Sequence, residues 1–324
     1  MIVIISSQSD ASTNDVIFWL KTQNKRYIRL NESDIIQEIN LIDGSIYLKT
    51  VTQKEVNLSD VTGYWYRRGM LRLAVNSPEA SEILYSNSII NGVKNFKIGE
   101  VNKLLDYIYI YLDRIPKSLT SYFQIDPNKL YVLEQAKLLG LLIPNTIIST
   151  NKIELKEFLK KHGNCITKPI NEIFFVNEGK TSYRSLTVPI SSEDIEEIKS
   201  DITFPILIQK EVEKRFEIRI FYLLGICYSM AIFSQNDITT LTDFRNYNKD
   251  KPNRSVPFQL PLQISYKIIL LMNKLKYKTG SIDFIVDNEG NYYFLEINPV
   301  GQFGMVSIPC NYNLERKIAE YLYQ

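Results

Sequence analysis

The sequence predicts a mixed α/β protein with more than one layer. Short apolar runs alternate with segments of helical spacing up to about residue 212, and two long hairpin-like segments, 216–233 and 280–297, follow. At 324 residues the chain also exceeds the size at which a single core keeps growing. We therefore expect two or three subdomains, with an α/β unit over about the first 120 residues and a new domain after it.

The N-terminal part begins with a buried strand, 2–5, and continues with a helix for which Ser12 or Thr13 is the predicted cap. The aromatic run TGYWYRRG predicts a short strand, and 79–113 a helical region. In IDPNKLYVLEQAKLLG, Pro127 predicts the first helical residue of the next domain. Downstream we expect strands at 145–148, 165–169, 185–188, 206–212, 216–223 and 227–233, helices at 153–162, 192–201 and 263–276, the hairpin 280–297 and a final helix.

Composition argues against several functional classes. The 38 basic and 36 acidic residues are spread along the chain, which leaves no electrostatic footprint for nucleic acid or for a membrane surface. The apolar start is too short for a signal peptide, and no stretch reaches the ~18 apolar residues of a membrane span, so we expect a cytoplasmic protein. Cys165, Cys227 and Cys310 lack metal-ligand spacing, and we expect buried, reduced thiols. A single histidine, His162, argues against a Ser-His-Asp triad or a multi-His metal site, and we expect it exposed near a helix C-terminus.

The segment GSIDFIVDNEGNYYFLEINP predicts a hairpin whose even-length loop is centred on Glu289 and Gly290. Antiparallel pairing then puts Asp283 opposite Glu296, with Cβ atoms about 5 Å apart. Strand alternation places Asn298 on the same face. The other face is predicted to be core and to carry Ile282, Phe284, Val286, Tyr293, Leu295 and Ile297.

Two opposed carboxylates repel unless a cation or a proton lies between them, and carboxylate and amide oxygens are ligands that suit Mg²⁺. This set therefore suggests nucleotide chemistry. Two alternatives stay open: a solvated polar face on an edge hairpin, and the acid and base carboxylates of a glycosidase.

Two lysines are candidate phosphate ligands. Lys168 is predicted to lie within an apolar strand, beside Pro169, where it needs a counter-charge, although a lysine that protects an edge strand is an alternative. Lys129 lies just inside the helix predicted from Pro127, where a solvated helix lysine is the alternative.

The segment PILIQKEVEKRFEIRIFYL predicts a polar hinge after Gln209 whose backbone groups can pair with an adenine edge. Beyond it, Glu217 can accept from ribose hydroxyls and Arg219 can bind a phosphoryl or carboxylate group, or the two can form a structural ion pair. Arg245 and Arg254, in the following charged loop, are candidates for a transferring phosphate or are surface residues.

Taken in order, these residues resemble the ATP-grasp ligase family. The matching features are Lys129 at a helix start, Lys168 in TKP, the hinge IQKEV, Glu217-x-Arg219, Asp283 and LEINP. The resemblance implies an N-terminal α/β domain over 1–122, a central lid subdomain over 123–212 and a C-terminal antiparallel-sheet domain over 213–324. It also implies that ATP phosphates contact Lys129 and Lys168, adenine contacts Gln209, Lys210, Glu211 and Val212, ribose contacts Glu217, and two Mg²⁺ ions are held by Asp283, Glu296 and Asn298. The lid segment 170–184 departs from the family pattern because it has a single glycine, Gly179.

Within that family the chain resembles the graspetide, or microviridin-type, peptide maturases. The similar segments are IISSQSDASTNDVIFWL, GYWYRRG, TDFRNYN with NRSVPFQLP, and LEINPVGQFG. The resemblance implies that Asp or Glu side chains of a ribosomal precursor peptide are activated by ATP and joined to Ser/Thr hydroxyls or Lys amines. Arg219 would then orient the activated carboxylate, and Arg254 or Arg245 the leaving phosphate. A homodimer is compatible with this resemblance.

The run YWYRR is a candidate peptide-binding surface through Trp65, Arg67 and Arg68. An aromatic core strand with two solvated arginines is the alternative. Two other functions stay open: an ATP-grasp carboxylate-amine ligase that acts on a small molecule or a protein tail, and a non-catalytic ATP-binding module.

Overall fold

The computed structural model describes residues 1–74, 87–171, 175–179, 181–234 and 253–324, and these form two compact units. One unit contains Met1–Ile125, Gln302–Ser307 and Asn313–Gln324. The other contains Asp126–Gly301 and Ile308–Tyr312. The division into 1–122, 123–212 and 213–324 stays a prediction.

The first unit combines a parallel sheet with a separate antiparallel sheet. Its elements up to residue 118 are β1 (Ile2–Ile5), α1 (Ala11–Thr22), β2 (Tyr27–Leu30), β3 (Ile36–Ile42), β4 (Ser45–Thr50), β5 (Glu55–Asn57), β6 (Gly63–Tyr66), α2 (Asn87–Asp113) and β7 (Lys117–Ser118). The parallel sheet has the order β2-β1-β6-β7 and the antiparallel sheet the order β3-β4-β5. Every residue of β1 is buried, as its uninterrupted apolar run predicts for a strand flanked on both sides.

The start of α1 differs from the prediction. Its cap is Asp10, whose side chain accepts a hydrogen bond from the Thr13 amide at 2.9 Å. Ser12 and Thr13 are therefore helical residues, and the prediction that one of them is the cap was wrong. Ser12 instead donates to Gln302 Oε1 at 2.6 Å, and Thr13 shares a 2.8 Å hydrogen bond with Ser6.

A buried carboxylate joins three segments of the first unit. Asp34 is 3% exposed and accepts hydrogen bonds from Lys54 Nζ at 2.6 Å, the Asn31 amide at 2.7 Å and the Thr52 hydroxyl. Burial alone would raise the pKa of Asp34, but the hydrogen bonds from Lys54, Thr52 and Asn31 outweigh it and the pKa is lowered. The ionised form of Asp34 is consequently the one that the fold stabilises.

We expect Asp34→Asn to lower the free energy of unfolding at pH 7 by about 2 kcal/mol, because hydrogen bonds to a buried carboxylate are lost. Since the folded-state pKa lies below the unfolded value, this stabilisation is present above the unfolded pKa and is lost as the pH falls through the lowered pKa. Urea unfolding at pH 7 and at progressively lower pH measures the effect. The gap between wild type and variant should narrow as the pH falls, and a constant gap would contradict the argument. Asp15→Asn, at an exposed position of α1, is the control.

The second unit contains a four-stranded sheet, a separate two-stranded hairpin and a five-stranded antiparallel sheet. Its elements are α3 (Lys129–Leu138), β8 (Thr146–Asn151), α4 (Lys152–His162), β9 (Cys165–Thr167), β10 (Phe175–Glu178), β11 (Thr181–Arg184), β12 (Val188–Ile190), α5 (Ser192–Glu196), β13 (Ile202–Lys210), β14 (Lys214–Leu223), β15 (Ile226–Phe233), β16 (Arg254–Phe258), α6 (Leu262–Lys274), β17 (Thr279–Asp287) and β18 (Tyr292–Asn298). The four-stranded sheet has the order β12-β9-β13-β8. The five-stranded sheet has the order β16-β15-β14-β17-β18.

One face of the five-stranded sheet forms the main core of this unit with α3 and α6. Apolar side chains of both helices and of strands β14, β15, β17 and β18 contribute to this core. Because strand side chains alternate between faces, the other face of the same strands is left for polar residues. The fully buried members of the core include Ala136, Ile220, Ile268, Leu271, Met272, Ile282, Phe284 and Phe294.

A β-bulge in β18 corrects part of the predicted core face. Asp283 pairs with Glu296, but the next residue, Phe284, pairs with Phe294, so Leu295 is an extra residue on β18. Phe294 is consequently in the core, and the prediction that Tyr293 and Leu295 lie there was wrong. The bulge was not predictable from alternation alone because it is a property of the pairing between two strands.

The C-terminal segment forms α7 (Gly304–Cys310) and α8 (Leu314–Tyr323). Cys165, Cys227 and Cys310 are free thiols; the first and last are buried, and Cys227 is half-buried. His162 ends α4 but is half-buried, and burial with the nearby Lys161 and Lys210 lowers its pKa. Within the described part of the chain, no helix has both the length and the apolar character to cross a membrane.

Candidate functional site

A row of charged side chains crosses the five-stranded sheet on the face opposite its core. Arg219 on β14 lies directly opposite Asp283 on β17, and Asp283 lies directly opposite Glu296 on β18. The predicted pairing of positions 283 and 296 is confirmed. Arg219 Nη1 donates to Asp283 Oδ2, and both residues are buried. An ion pair therefore holds Asp283 in the middle of the sheet.

Lys129 reaches the outer end of this row. Its Nζ lies 3.9 Å from Glu296 Oε2 and donates to the main-chain oxygen of Asn171 at 3.0 Å. Lys129 occupies this position because it is the first residue of α3, capped by Asn128 through hydrogen bonds to the second and third helical amides. The predicted start at Pro127 was wrong, since the helix begins after the Asn128 cap.

Asn298 closes β18 and begins a tight turn. Its Oδ1 accepts from the Val300 amide at 3.1 Å, and its main-chain oxygen accepts from the Gly301 amide at 3.0 Å. A Cβ atom at Gly301 would lie 2.4 Å from the Ser281 side chain, so this position requires glycine for a close approach to β17. Ser281 is the residue directly opposite Asn298. The turn therefore fixes the backbone position of Asn298.

Asp283, Glu296 and Asn298 fit a magnesium site in donor chemistry. They supply two carboxylates and an amide oxygen from one face of two paired strands, and their exposure increases from the buried Asp283 to the exposed Asn298. Each carboxylate also has a cation of the chain nearby, Arg219 for Asp283 and Lys129 for Glu296. In the described ranges no group of three or more His, Cys, Asp or Glu side chains is placed to hold a metal. A Mg²⁺ ion here would thus rely on the amide and on phosphate or water oxygens as further ligands.

Glu217 lies on the same face as Arg219 but in its own ion pair. Its Oε1 accepts from Lys214 Nζ and, at 2.9 Å, from Ser234 Oγ, and all three side chains are buried or nearly so. Burial raises the pKa of Glu217, although Lys214 and Ser234 act in the opposite direction. The alternative that Glu217 and Arg219 pair with each other does not match these contacts. The carboxylate predicted for ribose is thus held by protein groups.

The hinge segment Gln209–Val212 borders a cleft of about 600 Å³. Lys210, Glu211 and Val212 line it, together with residues at the tip of the β17–β18 hairpin such as Asp287 and Asn291. Gln209 is buried, and its Nε2 donates to Thr146 Oγ1 at 2.8 Å. Asp287, which lines the cleft, is four residues along β17 from Asp283. The cleft therefore lies about 13 Å from Asp283 along that strand.

Two backbone amides of this hinge donate hydrogen bonds within the protein. The amides of Lys210 and Glu211 donate to the main-chain oxygens of Asn145 and Asn164 at 2.8 and 3.0 Å. These bonds extend the strand pairing past the end of β13, so fewer backbone donors are available to a base than the hinge prediction assumed.

Lys168 directly follows β9 and is half-buried. Because β12 and β13 pair with β9 on its two sides, the alternative of a lysine protecting an edge strand does not apply. The glycine-poor segment 170–184, predicted to be a loop, contains the hairpin β10–β11, with Gly179 at φ +61° in its turn.

Of the two arginines predicted to lie in the charged loop, the structure describes Arg254 and does not describe Arg245. Arg254 begins β16 opposite Phe233, and its guanidinium lies 5.6 Å from the Phe233 ring centroid. The register of the strands places Arg254 on the face opposite to Glu217, so the structure does not bring Arg254 together with the row. Arg245 lies outside the described residues.

The predicted peptide-binding residues lie in the first unit. Trp65 and Arg67 are each 2% exposed, and Arg68 retains 42% of its side-chain exposure. Asp10 Oδ2 lies 3.5 Å from Arg67 Nε and 3.4 Å from Arg68 Nε. Burial lowers the pKa of Arg67 to about 10, while Asp10 opposes this effect. The strand is core, as the alternative held, but Arg67 is buried and not solvated.

Sequence analysis did not identify three polar residues at these sites, Lys214, Ser234 and Asp10. Lys214 and Glu217 are three apart, which places them on opposite faces of a regular strand, and a bulge between Lys214 and Phe216 brings them together. Ser234 and Asp10 are far in sequence from their partners, so no local pattern could have identified them.

Among the comparisons with known proteins, those with solved structures agree on one fold. No family model matches the sequence. An uncharacterized protein of Methanocaldococcus jannaschii is 27% identical over 191 residues, 58% of this chain, and the match spans less than half (44%) of that relative. A RiPP-associated ATP-grasp ligase of Chryseobacterium gregarium, solved with ADP and a leader and core peptide, is 26% identical, with a TM-score of 0.77 over 99% of this chain and 94% of that one.

Two further solved structures share the fold at lower identity. The macrocyclase MdnC of Microcystis aeruginosa, bound with the precursor peptide MdnA, is 23% identical with a TM-score of 0.75 over 99% of this chain and 98% of that one. The ATP-grasp ligase PsnB, complexed with a precursor variant, Mg and ADP, is 14% identical with a TM-score of 0.67 over 99% and 97%. The predicted fold is confirmed, and so is the resemblance of this chain to RiPP-associated ATP-grasp ligases.

Proposed function

We propose that the chain is an ADP-forming ligase that joins Asp or Glu side chains of a ribosomal precursor peptide to Ser/Thr hydroxyls or Lys amines. One observation carries this proposal. Two cations suited to phosphate or carboxylate, Arg219 and Lys129, each contact one of two opposed carboxylates suited to Mg²⁺. This arrangement occurs on a fold that matches a peptide-bound ATP-grasp ligase along nearly the whole chain.

The first step forms an acyl phosphate. A peptide carboxylate oxygen attacks the γ-phosphorus of ATP, the bond to the β-phosphate oxygen breaks, and ADP leaves. We assign Arg219 to orienting the carboxylate: its Nη1 donates to Asp283, and its Nε has no hydrogen-bond partner among the residues that the structure describes. Lys129 and Lys168 are assigned to phosphate oxygens, since an ammonium contacts phosphate as a point charge.

The second step forms the cross-link. A hydroxyl or amine of the same peptide attacks the acyl carbon, inorganic phosphate leaves, and the nucleophile loses its proton. Water must be kept from the acyl phosphate, or hydrolysis competes with ring closure. We assign this exclusion to the lid segment 170–184, and Arg254 or Arg245 to the leaving phosphate.

Magnesium, when bound, would neutralise charge on the phosphates. Asp283, Glu296 and Asn298 are the residues assigned to hold it, as two ions. Around the nucleotide, Lys210, Glu211 and Val212 are assigned to adenine with the backbone of Gln209, and Glu217 to ribose.

On the peptide side, Arg68 is the residue that we assign to substrate contact. Its guanidinium is partly exposed, whereas Trp65 and Arg67 are buried and would act by supporting it. We further propose that the protein works as a homodimer in the cytoplasm, where ATP and newly made peptide are both present.

The test incubates the purified chain with Mg²⁺, ATP and a candidate precursor peptide, and measures ADP release and peptide mass. We expect a loss of one water per bond formed, stoichiometric with ADP, and fragmentation that maps each bond to an Asp or Glu side chain. Omission of the peptide should suppress ADP release.

Other outcomes distinguish the alternatives. ADP release that depends on a free amine and a small carboxylate, with no change in peptide mass, would indicate a carboxylate-amine ligase. Saturable ATP binding without turnover, for every peptide encoded beside the gene, would indicate a non-catalytic module.

A further inference from the structure

Three arginines lie near one buried carboxylate at an edge of the parallel sheet in the first unit. Strands β1, β2 and β6 are parallel, so their carboxyl ends meet at the same edge. Asp10 follows β1, and Arg29 lies near the end of β2. Arg67 and Arg68 follow β6. In open α/β sheets this edge is where ligands bind, and its charges indicate which group Arg68 contacts.

Asp10 is 4% exposed and is shared by two cations. Its Oδ2 lies 3.5 Å from Arg67 Nε and 3.4 Å from Arg68 Nε. One carboxylate between two guanidinium groups leaves the charge of Arg68 only partly balanced, and an anionic ligand would complete the balance. Arg29 adds a third cation, whose hydrogen-bond acceptors are all uncharged: Ser6 Oγ, Asn14 Oδ1 and the main-chain oxygens of Ser7 and Gln8.

Arg68 is the member of this group that a ligand can reach. Its side chain retains 42% of its exposure, whereas its Nε is buried beside Asp10. The two terminal nitrogens of Arg68 donate no hydrogen bond within the ranges that the structure describes. Glu32, an exposed acid beside Gly69, forms no ion pair with Arg68 in those ranges. The terminal nitrogens of arginine form a planar fork that fits a carboxylate.

The carboxylate beside Arg68 is itself held in place by its own segment. Asp10 Oδ1 accepts from the Thr13 amide at 2.9 Å and from the Thr13 hydroxyl at 3.3 Å. The Asp10 amide donates to the main-chain oxygen of Ser7 at 3.2 Å, and Arg29 Nη2 donates to the same oxygen. These contacts fix Asp10 Oδ2 and, through it, the direction of the Arg68 side chain.

We propose that Arg68 binds an acidic side chain of the peptide other than the one that Arg219 orients, and that Asp10 is the positioning residue that directs the Arg68 fork. This inference rests on the proposed function. Arg219 and the carboxylates assigned to Mg²⁺ lie on the five-stranded sheet of the second unit, whereas Arg68 follows a strand of the first. An acidic residue anchored on Arg68 determines which other acidic residue of the peptide reaches Arg219. The Arg68 site thus selects the position of the cross-link.

The main test measures binding of a fluorescently labelled candidate precursor peptide to the full chain, without ATP, by anisotropy. Arg68→Met should weaken binding by about tenfold or more, because charge-assisted hydrogen bonds to a carboxylate are lost. Asp10→Asn should weaken it by about threefold or more, since asparagine still caps α1 but no longer holds Arg68 Nε by charge. The double variant should bind no more weakly than Arg68→Met, because Asp10 acts through Arg68. Arg72→Met, at an exposed arginine farther along the same segment, is the control and should bind as the wild type does.

A second set of measurements identifies the partner of Arg68 on the peptide. Each Asp or Glu of the peptide is changed in turn to Asn or Gln. One of these changes should weaken binding to the wild type by about tenfold and have no further effect on Arg68→Met. Mass spectrometry should show that the same peptide change, and Arg68→Met, each move the cross-links to other acidic residues.

A readout of the nucleotide separates this site from a general loss of structure. The ATP concentration that gives half-maximal ADP release should stay at its wild-type value in Arg68→Met and Asp10→Asn. Circular dichroism checks that each variant is folded. The peptide changes test the site on an unaltered chain.

Arg68→Met with wild-type peptide affinity would overturn the inference, and so would a loss of affinity that adds equally to every change in the peptide. An effect of Asp10→Asn that adds fully to that of Arg68→Met would reject the positioning role. A chain that binds peptide in the expected pattern but releases no ADP would reject the proposed function and leave the Arg68 site. A chain that cross-links peptide but fails these binding tests would do the reverse.

Discussion

Glu296→Gln is expected to lower peptide-dependent ADP formation by at least about a hundredfold, because a neutral amide cannot replace a carboxylate that balances metal and phosphate charge. The effect on folding should be small. Glu296 retains 25% of its side-chain exposure, and its pair with Lys129 spans 3.9 Å, so its removal costs less than about 1 kcal/mol of unfolding free energy. ADP release and urea unfolding, measured on the same preparation, separate the two effects.

A matched control for this substitution is Glu134→Gln, on an exposed position of α3. It should keep wild-type turnover and stability. A second readout is the Mg²⁺ concentration that gives half-maximal ADP formation, which should rise in Glu296→Gln if any activity remains. Unchanged turnover at ordinary Mg²⁺ would remove Glu296 from the metal assignment.

Arg219→Met is expected to reduce the free energy of unfolding by about 3–5 kcal/mol. The reason is that Asp283 stays buried in the sheet after its hydrogen-bonded guanidinium has gone. Arg219→Met combined with Asp283→Leu should be less destabilised than the sum of the single changes, because the second substitution removes the charge that the first leaves unpaired. Denaturant unfolding of the four proteins measures this coupling.

The surface pair Arg316 and Glu320, with Nε and Oε1 2.7 Å apart on α8, is the control for that cycle. Arg316→Met should cost about 0.5 kcal/mol or less, since exposed i,i+4 pairs contribute little. Strictly additive effects at positions 219 and 283 would argue that their ion pair contributes no coupling.

The parts of the site that sequence predicted correctly depend on local rules. Strand alternation was enough to put Ile282, Phe284 and Ile297 in the core. The predicted even-length loop was wrong, because Ile285 pairs with Tyr293 and an odd number of residues therefore joins the two strands. Asp283 still lies opposite Glu296 because the extra residue Leu295 offsets that error, and the same residue reverses the faces of β18 nearer the loop.

Two of the remaining errors share a cause. The Lys214–Glu217 pair, which needs the bulge that pairing with β17 produces in β14, and the burial of Arg67 both depend on which segment lies next to which. A propensity or a spacing within one segment carries no information about such neighbours. The Asp10 cap is a different error, because its contact with the Thr13 amide is local. Asp10, Ser12 and Thr13 are all residue types that cap helices well, and residue type alone did not distinguish them.

The sequence by itself determined the order of the chemically important residues and the donor types that suit Mg²⁺ and phosphate. Both are properties of residue identity and of spacing within single segments. Only the tertiary structure decided which cation contacts which carboxylate: Arg219 with Asp283, Lys129 with Glu296, and Lys214 with Glu217. The physical reason is that the first two contacts join different strands and helices, and the third needs the bulge that pairing with β17 produces in β14. Their partners are set by strand register, by two bulges and by the start of one helix, and these features arise only when the segments pack together.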